Sequence, residues 1–337
     1  NHNDTTQWKL GRTSMGVEFR NEGVKSNVLG KPMKEPQDVP FEKEGQYLKS
    51  DNRSNISYFL EHNVLLRRFT LSVGVLVNYN SALNEGIHFY PGIDASYRIG
   101  DNFRLYGSWN RALRMPTFTD LYYEGKTNKG NPDLKPEESE AFEVGLKYNT
   151  YFLRAHIAGF YRKGKNMIDW VKEKPEDIWE SRNLTKVDNL GFETNLSLLP
   201  RELGNERFFI RKIELGYAFI HQDKDSEGYI SNYALDYLKH KFTAQLSHSI
   251  WKGFSATWYV RWQDRAGSYT KYENLKPAYE EPYAPYCLVD MKVNWEYQRL
   301  NLYAELNNLL NSTYYDLGNI PQPGIWFKAG FRYSSKY

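Results

Sequence analysis

Apolar and polar residues alternate with a period of two along most of this chain. In the segment 286–295, every second position from Cys287 to Trp295 is apolar, and the positions between them include Asp290 and Lys292. Successive side chains of a β-strand point to opposite faces, so this period predicts strands with one apolar and one polar face. About fourteen such runs predict an all-β chain. They lie near 7–19, 56–66, 70–80, 87–99, 103–110, 139–148, 151–162, 188–198, 210–221, 240–250, 254–263, 286–295, 300–308 and 325–333.

The length of the runs distinguishes a transmembrane β-barrel from a water-soluble β protein. Several reach roughly ten to twelve residues, enough to cross a bilayer when tilted, whereas strands of water-soluble sheets average about five or six. Aromatic residues stand near the strand ends, at Trp109, Tyr148, Trp262 and Trp295, as in the belts that flank a membrane. A transmembrane antiparallel β-barrel is therefore favoured, and a soluble β-sandwich is the rival interpretation.

The connections between the runs alternate in length. Short turns are predicted near 67–68, 100–101, 149–150, 251–253 and 297–299, with a somewhat longer one at 201–207 on the same side. The other connections are longer, near 21–54, 113–136, 163–178, 222–238, 264–284 and 309–323, and 81–86 is of moderate length. Outer-membrane barrels have short periplasmic turns and long external loops. We therefore expect the long connections outside and Gly100–Asp101 and Tyr297–Arg299 in the periplasm.

Composition excludes several classes. The formal net charge of +3 is too balanced to indicate a nucleic-acid partner. Mean hydropathy is −0.71, and no apolar run approaches the ~18 residues of a transmembrane helix. The single cysteine permits no internal disulfide and no cysteine metal cluster. Amphipathic sequence begins almost at the first residue, with no targeting segment before it, so we interpret the chain as a processed or excised piece.

The most distinctive motif lies in residues 111–145. An Arg-x-Pro element (Arg114, Pro116) is followed by an Asp-Leu-Tyr run at Asp120, Leu121 and Tyr122. An Asn-Pro-x-Leu-x-Pro-Glu box comes next, formed by Asn131, Pro132, Leu134, Pro136 and Glu137. Prolines bar regular strand pairing here, so the residues alone indicate an external loop.

This segment resembles the matching stretch of TonB-dependent outer-membrane receptors. The resemblance extends to Glu305–Tyr314, to Pro323-Gly324 before the last strand, and to the order of loops and turns over nearly the whole chain. Ile325 departs from it, because members often carry arginine there. The resemblance implies a barrel of 22 strands with a plugged lumen. Residues 1–337 would then supply the C-terminal part of the barrel, and the N-terminal plug domain and its contact with TonB would lie outside this chain.

The family resemblance also implies a function. Members import cobalamin, ferric siderophores, haem or oligosaccharides across the Gram-negative outer membrane, and the Asp-Leu-Tyr pattern with loops of moderate length looks closest to cobalamin receptors. The stretch 117–130 lacks the histidine usual in haem receptors. The implied partners are outer-membrane lipid, TonB and a bulky nutrient. External tyrosines, whose rings are rigid and amphipathic, would offer contact area to that nutrient. These candidate ligand-binding residues are Tyr122, Tyr123, Tyr269, Tyr272 and Tyr279. A ferric-siderophore receptor and a passive porin-like barrel are the alternatives.

Catalysis is the remaining rival. A hydrolase needs a nucleophile, a base and an orienting group, and the alternation places His156 in the lumen, near Ser or Asp residues of other strands. A polar lumen contains such groups in any case, so we predict no enzyme activity, no catalytic residue, no cofactor and no metal site. Alternation further predicts Leu105, Val260, Val289, Leu302 and Phe327 on the lipid face, and Arg104, Arg261, Asp290, Glu305 and Arg332 in the lumen.

Overall fold

The computed structural model describes residues 2–42, 44–83, 86–174, 176–204, 207–225, 228–231, 237–273, 276–318 and 320–335. Its strands are β1 (His2–Trp8), β2 (Gly11–Ser26), β3 (Lys31–Asp38), β4 (Gln46–Leu65), β5 (Phe69–Asn80), β6 (Ile87–Ile99), β7 (Phe103–Arg114), β8 (Asn128–Lys129), β9 (Glu137–Asn149), β10 (Leu153–Lys172), β11 (Trp179–Leu198), β12 (Ile210–Asp225), β13 (Ile230–Ser231), β14 (Leu238–Trp251), β15 (Phe254–Arg265), β16 (Ser268–Glu273), β17 (Lys276–Pro282), β18 (Tyr286–Tyr297), β19 (Leu300–Asn307), β20 (Tyr315–Leu317), β21 (Ile320–Pro321) and β22 (Trp326–Tyr333). One short α-helix, α1 (Phe118–Tyr122), and one 3₁₀ turn, Pro200–Leu203, complete the elements of the described residues.

Fifteen of these strands form one antiparallel meander in which each pairs with the next. The order is β1, β2, β4, β5, β6, β7, β9, β10, β11, β12, β14, β15, β18, β19 and β22. The predicted all-β antiparallel sheet is confirmed. The structure adds one strand to the fourteen expected, because the run 7–19 is divided by a turn at Lys9-Leu10, where Trp8 pairs with Gly11.

The other strands lie within the long connections. β3 pairs with β4, β13 with β10, and β8 runs parallel to the start of β11, while β16–β17 and β20–β21 form separate hairpins. The prediction of 163–178 as a loop was wrong, because β10 continues to Lys172 and β11 starts at Trp179. The sequence signal is weak there because a strand beyond the membrane needs no apolar face.

The alternation of short and long connections is confirmed except between β10 and β11, since β10 ends at Lys172 and β11 already begins at Trp179. Thr150 to Phe152, Lys252-Gly253 and Gln298-Arg299 close tight links on one rim, and the long connections lie on the opposite rim. The Lys252-Gly253 link requires glycine at its second position. The φ of Gly253 is +84°, and a Cβ atom there would lie 2.4 Å from the carbonyl oxygen of Glu296.

The register places the charged and apolar sets on opposite faces, as predicted. On one face, Val260 pairs with Val289 and Leu302 pairs with Phe331. On the other, Glu305 binds Lys292 at 2.7 Å and also pairs with Lys328.

The charged face is concave. A cavity of about 640 Å³ is lined by residues of seven neighbouring strands, from Lys147 on β9 to Asp290 on β18. One cavity can touch all of these strands only if the sheet curves around it. The apolar face is convex and exposed, with Phe327 at 62% and Phe331 at 74% exposure. So large an apolar surface fits a lipid environment.

No helix in the described ranges is long and apolar enough to span a bilayer.

The first test concerns the two faces. Val289→Arg places a charge on the convex face of β18, opposite Val260 in the middle of β15, and should cost about 2–4 kcal/mol of membrane stability. Asp290→Asn, one position along on the concave face, is the matched control and should fold normally, since an amide oxygen can still accept the 2.7 Å hydrogen bond from the Asn308 amide. The folded fraction is measured by heat-modifiable gel migration after refolding into lipid. Equal yields for the two variants would contradict the assignment of the faces.

The second test concerns orientation. An epitope inserted between Gly125 and Lys126, on the rim of long connections, should bind antibody on intact cells. The same epitope between Gln298 and Arg299, on the rim of tight turns, should bind only after the outer membrane is opened. Labelling in the reverse order would invert the predicted topology.

Candidate functional site

The connection between β7 and β9 folds as an ordered unit, here called the mouth loop (residues 115–136). Helix α1 begins after Thr117, whose hydroxyl accepts a hydrogen bond from the Asp120 amide at 3.1 Å. The Asp120 carboxylate accepts in return from the amide of Thr117 at 3.0 Å. This reciprocal cap satisfies amides at the start of a helix that is too short to be stable alone.

Gly130 brings the second half of the mouth loop against the helix. Its amide donates to the Tyr123 carbonyl at 2.6 Å, and the Asn131 amide donates to the Asp120 carbonyl at 2.9 Å. A Cβ atom on Gly130 would lie 2.8 Å from the backbone nitrogen of Tyr122. Only glycine permits this approach.

Arg114 and Glu137 close the base of the mouth loop where β7 and β9 meet. Two parallel hydrogen bonds of 2.6 Å join the guanidinium to the carboxylate, and the pairing raises the pKa of Arg114. The same carboxylate accepts from the amide of Ile168 on β10 at 2.8 Å. Glu137 is buried, so this forked pair fixes three strands at one point.

The motif residues thus build the mouth loop. Pro116 and Leu134 are buried, and the Asn131 side chain accepts from the Asp133 amide at 2.9 Å. Leu121 donates its amide to the Thr117 carbonyl at 3.1 Å within the helix. The rest of the motif, Pro132 and Pro136, lies along the return to β9.

The mouth loop is also tied to β4, which is separated from the β7–β9 hairpin by β5 and β6. Arg53 donates to the Pro116 carbonyl at 2.6 Å, and its guanidinium lies 4.9 Å from the centre of the Phe118 ring. The hydroxyl of Tyr122 donates to Asp51 at 2.6 Å. Burial raises the pKa of Tyr122, and the bond to the Asp51 carboxylate raises it further. The hydroxyl therefore stays protonated and keeps this tether.

On its other side the mouth loop packs against the outer ends of β10 and β11. Tyr123 meets Trp170 edge to face, with ring centres 6.4 Å apart. The Trp179 amide donates to the Thr127 carbonyl at 2.9 Å. Val171 is only 1% exposed, so the best-packed part of the described chain lies above the membrane span.

The other candidate tyrosines lie on the β16–β17 hairpin. Tyr269 is 6% exposed, stacks on Tyr315 with ring centres 5.1 Å apart, and donates to Glu281 at 3.1 Å. Hydrogen bonds from Lys271 and Tyr269 lower the pKa of Glu281. Tyr272 and Tyr279, by contrast, are 52% and 53% exposed.

The five candidate tyrosines therefore lie on two different long connections, two on the mouth loop and three on the β16–β17 hairpin. Exposure divides them differently. The rings of Tyr123, Tyr272 and Tyr279 are exposed, whereas Tyr122 and Tyr269 are engaged in packing. Arg53 and Phe118, which the sequence analysis missed, hold the mouth loop. Arg53 had no recognisable signal, because it lies in a segment interpreted as a connection.

His156 lies in a polar network on the concave face. Its Nε2 is 2.8 Å from the hydroxyl of Tyr106, which donates to Glu143 at 2.7 Å, and its Nδ1 is 3.7 Å from Glu193. In the described ranges this ring hydrogen-bonds no serine or cysteine. The described contacts of this ring thus form a chain of polar groups that links β7, β9, β10 and β11.

Comparison with known proteins also indicates a β-barrel. A family model described as TonB dependent receptor-like, beta-barrel, matches residues 1–309. A protein named vitamin B12 transporter BtuB from Vibrio vulnificus is 26% identical over 225 residues, covering 50% of this chain and 36% of the relative. The ferrienterobactin receptor of Escherichia coli is 22% identical over 297 residues, covering 80% of this chain and 38% of the relative.

Solved structures agree on the fold. The ferric enterobactin receptor mutant Q482A of Pseudomonas aeruginosa, in complex with enterobactin, superimposes with a TM-score of 0.74 at 18% identity, covering 98% of this chain and 53% of that chain. The siderophore receptor PirA of Acinetobacter baumannii gives a TM-score of 0.70 at 17% identity, covering 98% and 53%. The matches thus span about a third to a half of the other proteins' length.

The site analysis predicts that Arg114→Ala loosens the mouth loop. It leaves the buried Glu137 carboxylate without its charged partner, which should cost about 1–3 kcal/mol. Amide hydrogen exchange at Gly130 and Asn131 should accelerate accordingly, while the β7–β9 ladder stays protected. Lys126→Ala, which removes an exposed cation from the same loop, is the control. Unchanged exchange in Arg114→Ala would show that the forked pair does not hold the loop.

Proposed function

Because this chain belongs to the family of TonB-dependent receptor β-barrels of the Gram-negative outer membrane, we propose that it serves a ligand-gated importer driven by TonB. The cargo is a bulky, scarce nutrient, with cobalamin preferred. Residues 1–337 supply barrel wall and mouth. A plug domain, the remaining strands and the contact with TonB belong to other parts of the complete protein.

The observation that carries the proposal is the fixed mouth loop. It is held to β4 through Arg53 and Tyr122, and to β10 through Glu137. A passive pore needs no such anchoring, whereas a ligand-gated receptor needs a surface that is already shaped when its ligand arrives. Tyr123, on this fixed mouth loop, is 38% exposed. Its ring can contact a ligand without the entropy cost of ordering the loop.

Cobalamin is preferred on two grounds. The spacing of the Asp120-Leu121-Tyr122 run and the moderate loops resemble cobalamin receptors, and two relatives are named vitamin B12 transporters. A ferric siderophore is the second candidate, supported by the relative named ferrienterobactin receptor, whose match covers 80% of this chain. The family consists of transporters and receptors, so an enzymatic role is not proposed.

The proposal predicts that exposed mouth tyrosines anchor the ligand. In the complete receptor, Tyr123→Ala and Tyr279→Ala should each weaken cobalamin binding by about 1–3 kcal/mol, the range for aromatic anchors. The barrel should still fold in detergent, because both rings lie outside its strand ladder. Tyr151→Ala is the matched control, since Tyr151 is 69% exposed on the opposite rim. Affinity is measured by isothermal titration.

The outcomes separate the alternatives. Unchanged affinity in both variants would assign these tyrosines to packing alone. Binding of a ferric catecholate and not of cobalamin by the unmodified receptor would establish the siderophore alternative. A complete reading frame that encodes no plug upstream of Asn1 would favour the porin-like barrel.

A further inference from the structure

The sheet is split at its outer end between β6 and β7. Their ladder stops at the pair Gly92 and Asn110, although β6 extends to Ile87 and β7 to Arg114. The outer flanks remain paired, β6 with β5 to Ile87 and β7 with β9 to Arg114. Pro91 occupies the first unpaired position of β6 and has no amide hydrogen to donate.

A cavity lies on each side of this split. One of about 280 Å³ includes His88, Tyr90, Arg111, Lys163 and Lys165 in its wall, and one of about 500 Å³ faces the lumen. Tyr90, Arg111 and Ala112 line both cavities, so the split passes through the wall. Within the described ranges, Nε2 of His88 and the hydroxyl of Tyr90 are buried without a hydrogen-bond partner. Such groups are costly unless something binds them.

The strand register gives the height of the smaller cavity in the membrane. On the convex face, Trp109, Phe142 and Tyr161 form a row across β7, β9 and β10. Two residues farther out, Arg111, Glu140 and Lys163 form the next row. Because aromatic belts mark the boundary between hydrocarbon and headgroups, this charged row lies at headgroup level.

The smaller cavity is lined by three cations, Arg111, Lys163 and Lys165, and by two carboxylates, Glu138 and Glu140, which leaves an excess of one positive charge. Arg111 lies 3.1 Å from Glu140 and 4.0 Å from Glu138, so these carboxylates hold the guanidinium in place. Lys163 and Lys165 are exposed, and neither has a carboxylate within ion-pair distance in the part of the chain that the structure describes. Lysine and arginine at this depth attract anionic headgroups.

We propose that the split between β6 and β7 binds a phosphate group carried by a lipid of the outer leaflet. Lys163 and Lys165 supply the charge, Arg111 orients the phosphate, and the polar atoms of His88 and Tyr90 complete the wall behind it. The convex, headgroup-level position favours a lipid over a soluble anion. This site differs from the mouth, since it opens toward the membrane.

The test titrates the complete receptor in detergent with three probes. They are a bis-phosphorylated acyl-disaccharide lipid, the same lipid without phosphate, and inorganic phosphate. Lys163→Ala/Lys165→Ala should weaken binding of the phosphorylated lipid roughly 30-fold, since each basic group near an anionic surface contributes about fivefold. Lys25→Ala/Lys34→Ala, which removes two exposed cations from the outer end of β2 and from β3, should bind like the unmodified protein.

Each result decides the proposal. Tight binding of the phosphorylated lipid alone, lost in the Lys163/Lys165 variant, supports it. Equal binding of both lipids would overturn it, because phosphate would then contribute nothing. Inorganic phosphate that binds as tightly as the lipid would overturn the lipid assignment and leave a site for a soluble anion. If both double variants weakened lipid binding equally, the effect would be due to net charge alone, and the site would be refuted.

Discussion

Hydrogen bonding of the backbone in a medium without water is the constraint on which this structure depends. Each amide and carbonyl within hydrocarbon must find a partner in the protein, and a continuous antiparallel ladder provides one for every interior strand. The ladder in turn dictates period two, because each strand shows one face to lipid and one to the interior. The exposed Phe331 and the paired Glu305 on neighbouring strands are two consequences of the same requirement.

Outside the hydrocarbon, water and other protein segments can also satisfy backbone hydrogen bonds, and the strands no longer need an apolar face toward lipid. β10 and β11 each run for 20 residues, about twice the length that a bilayer requires. Their outer halves are covered by the mouth loop and by β13 rather than by lipid, so Asp169 and Val171 are each only 1% exposed. The conventional protein core of this chain is therefore assembled from extended hairpins and loops outside the membrane.

This division explains what the sequence could predict. Within the membrane, alternation alone placed Val289 and Asp290 on opposite faces, because one physical rule acts on every residue there. Outside it, the extension of β10 to Lys172 carried no alternating apolar signal. The buried Tyr269 and the exposed Tyr279 look alike in sequence, since their difference depends on Tyr283 and Tyr315, which come from other segments. The Arg53 tether depends likewise on a contact 63 residues away.

The family motif acquires a specific meaning from these contacts. Arg114 and Glu137 bind each other, Asp120 caps its helix, and Asn131 closes a turn, so the polar groups that make the motif recognisable are satisfied within the protein. Groups already paired in this way gain little by contacting a ligand. The motif can therefore fix the position of the mouth loop without dictating what it binds. Under the proposed function, discrimination between ligands would come from residues that these internal contacts leave exposed, such as Tyr123, which is 38% exposed.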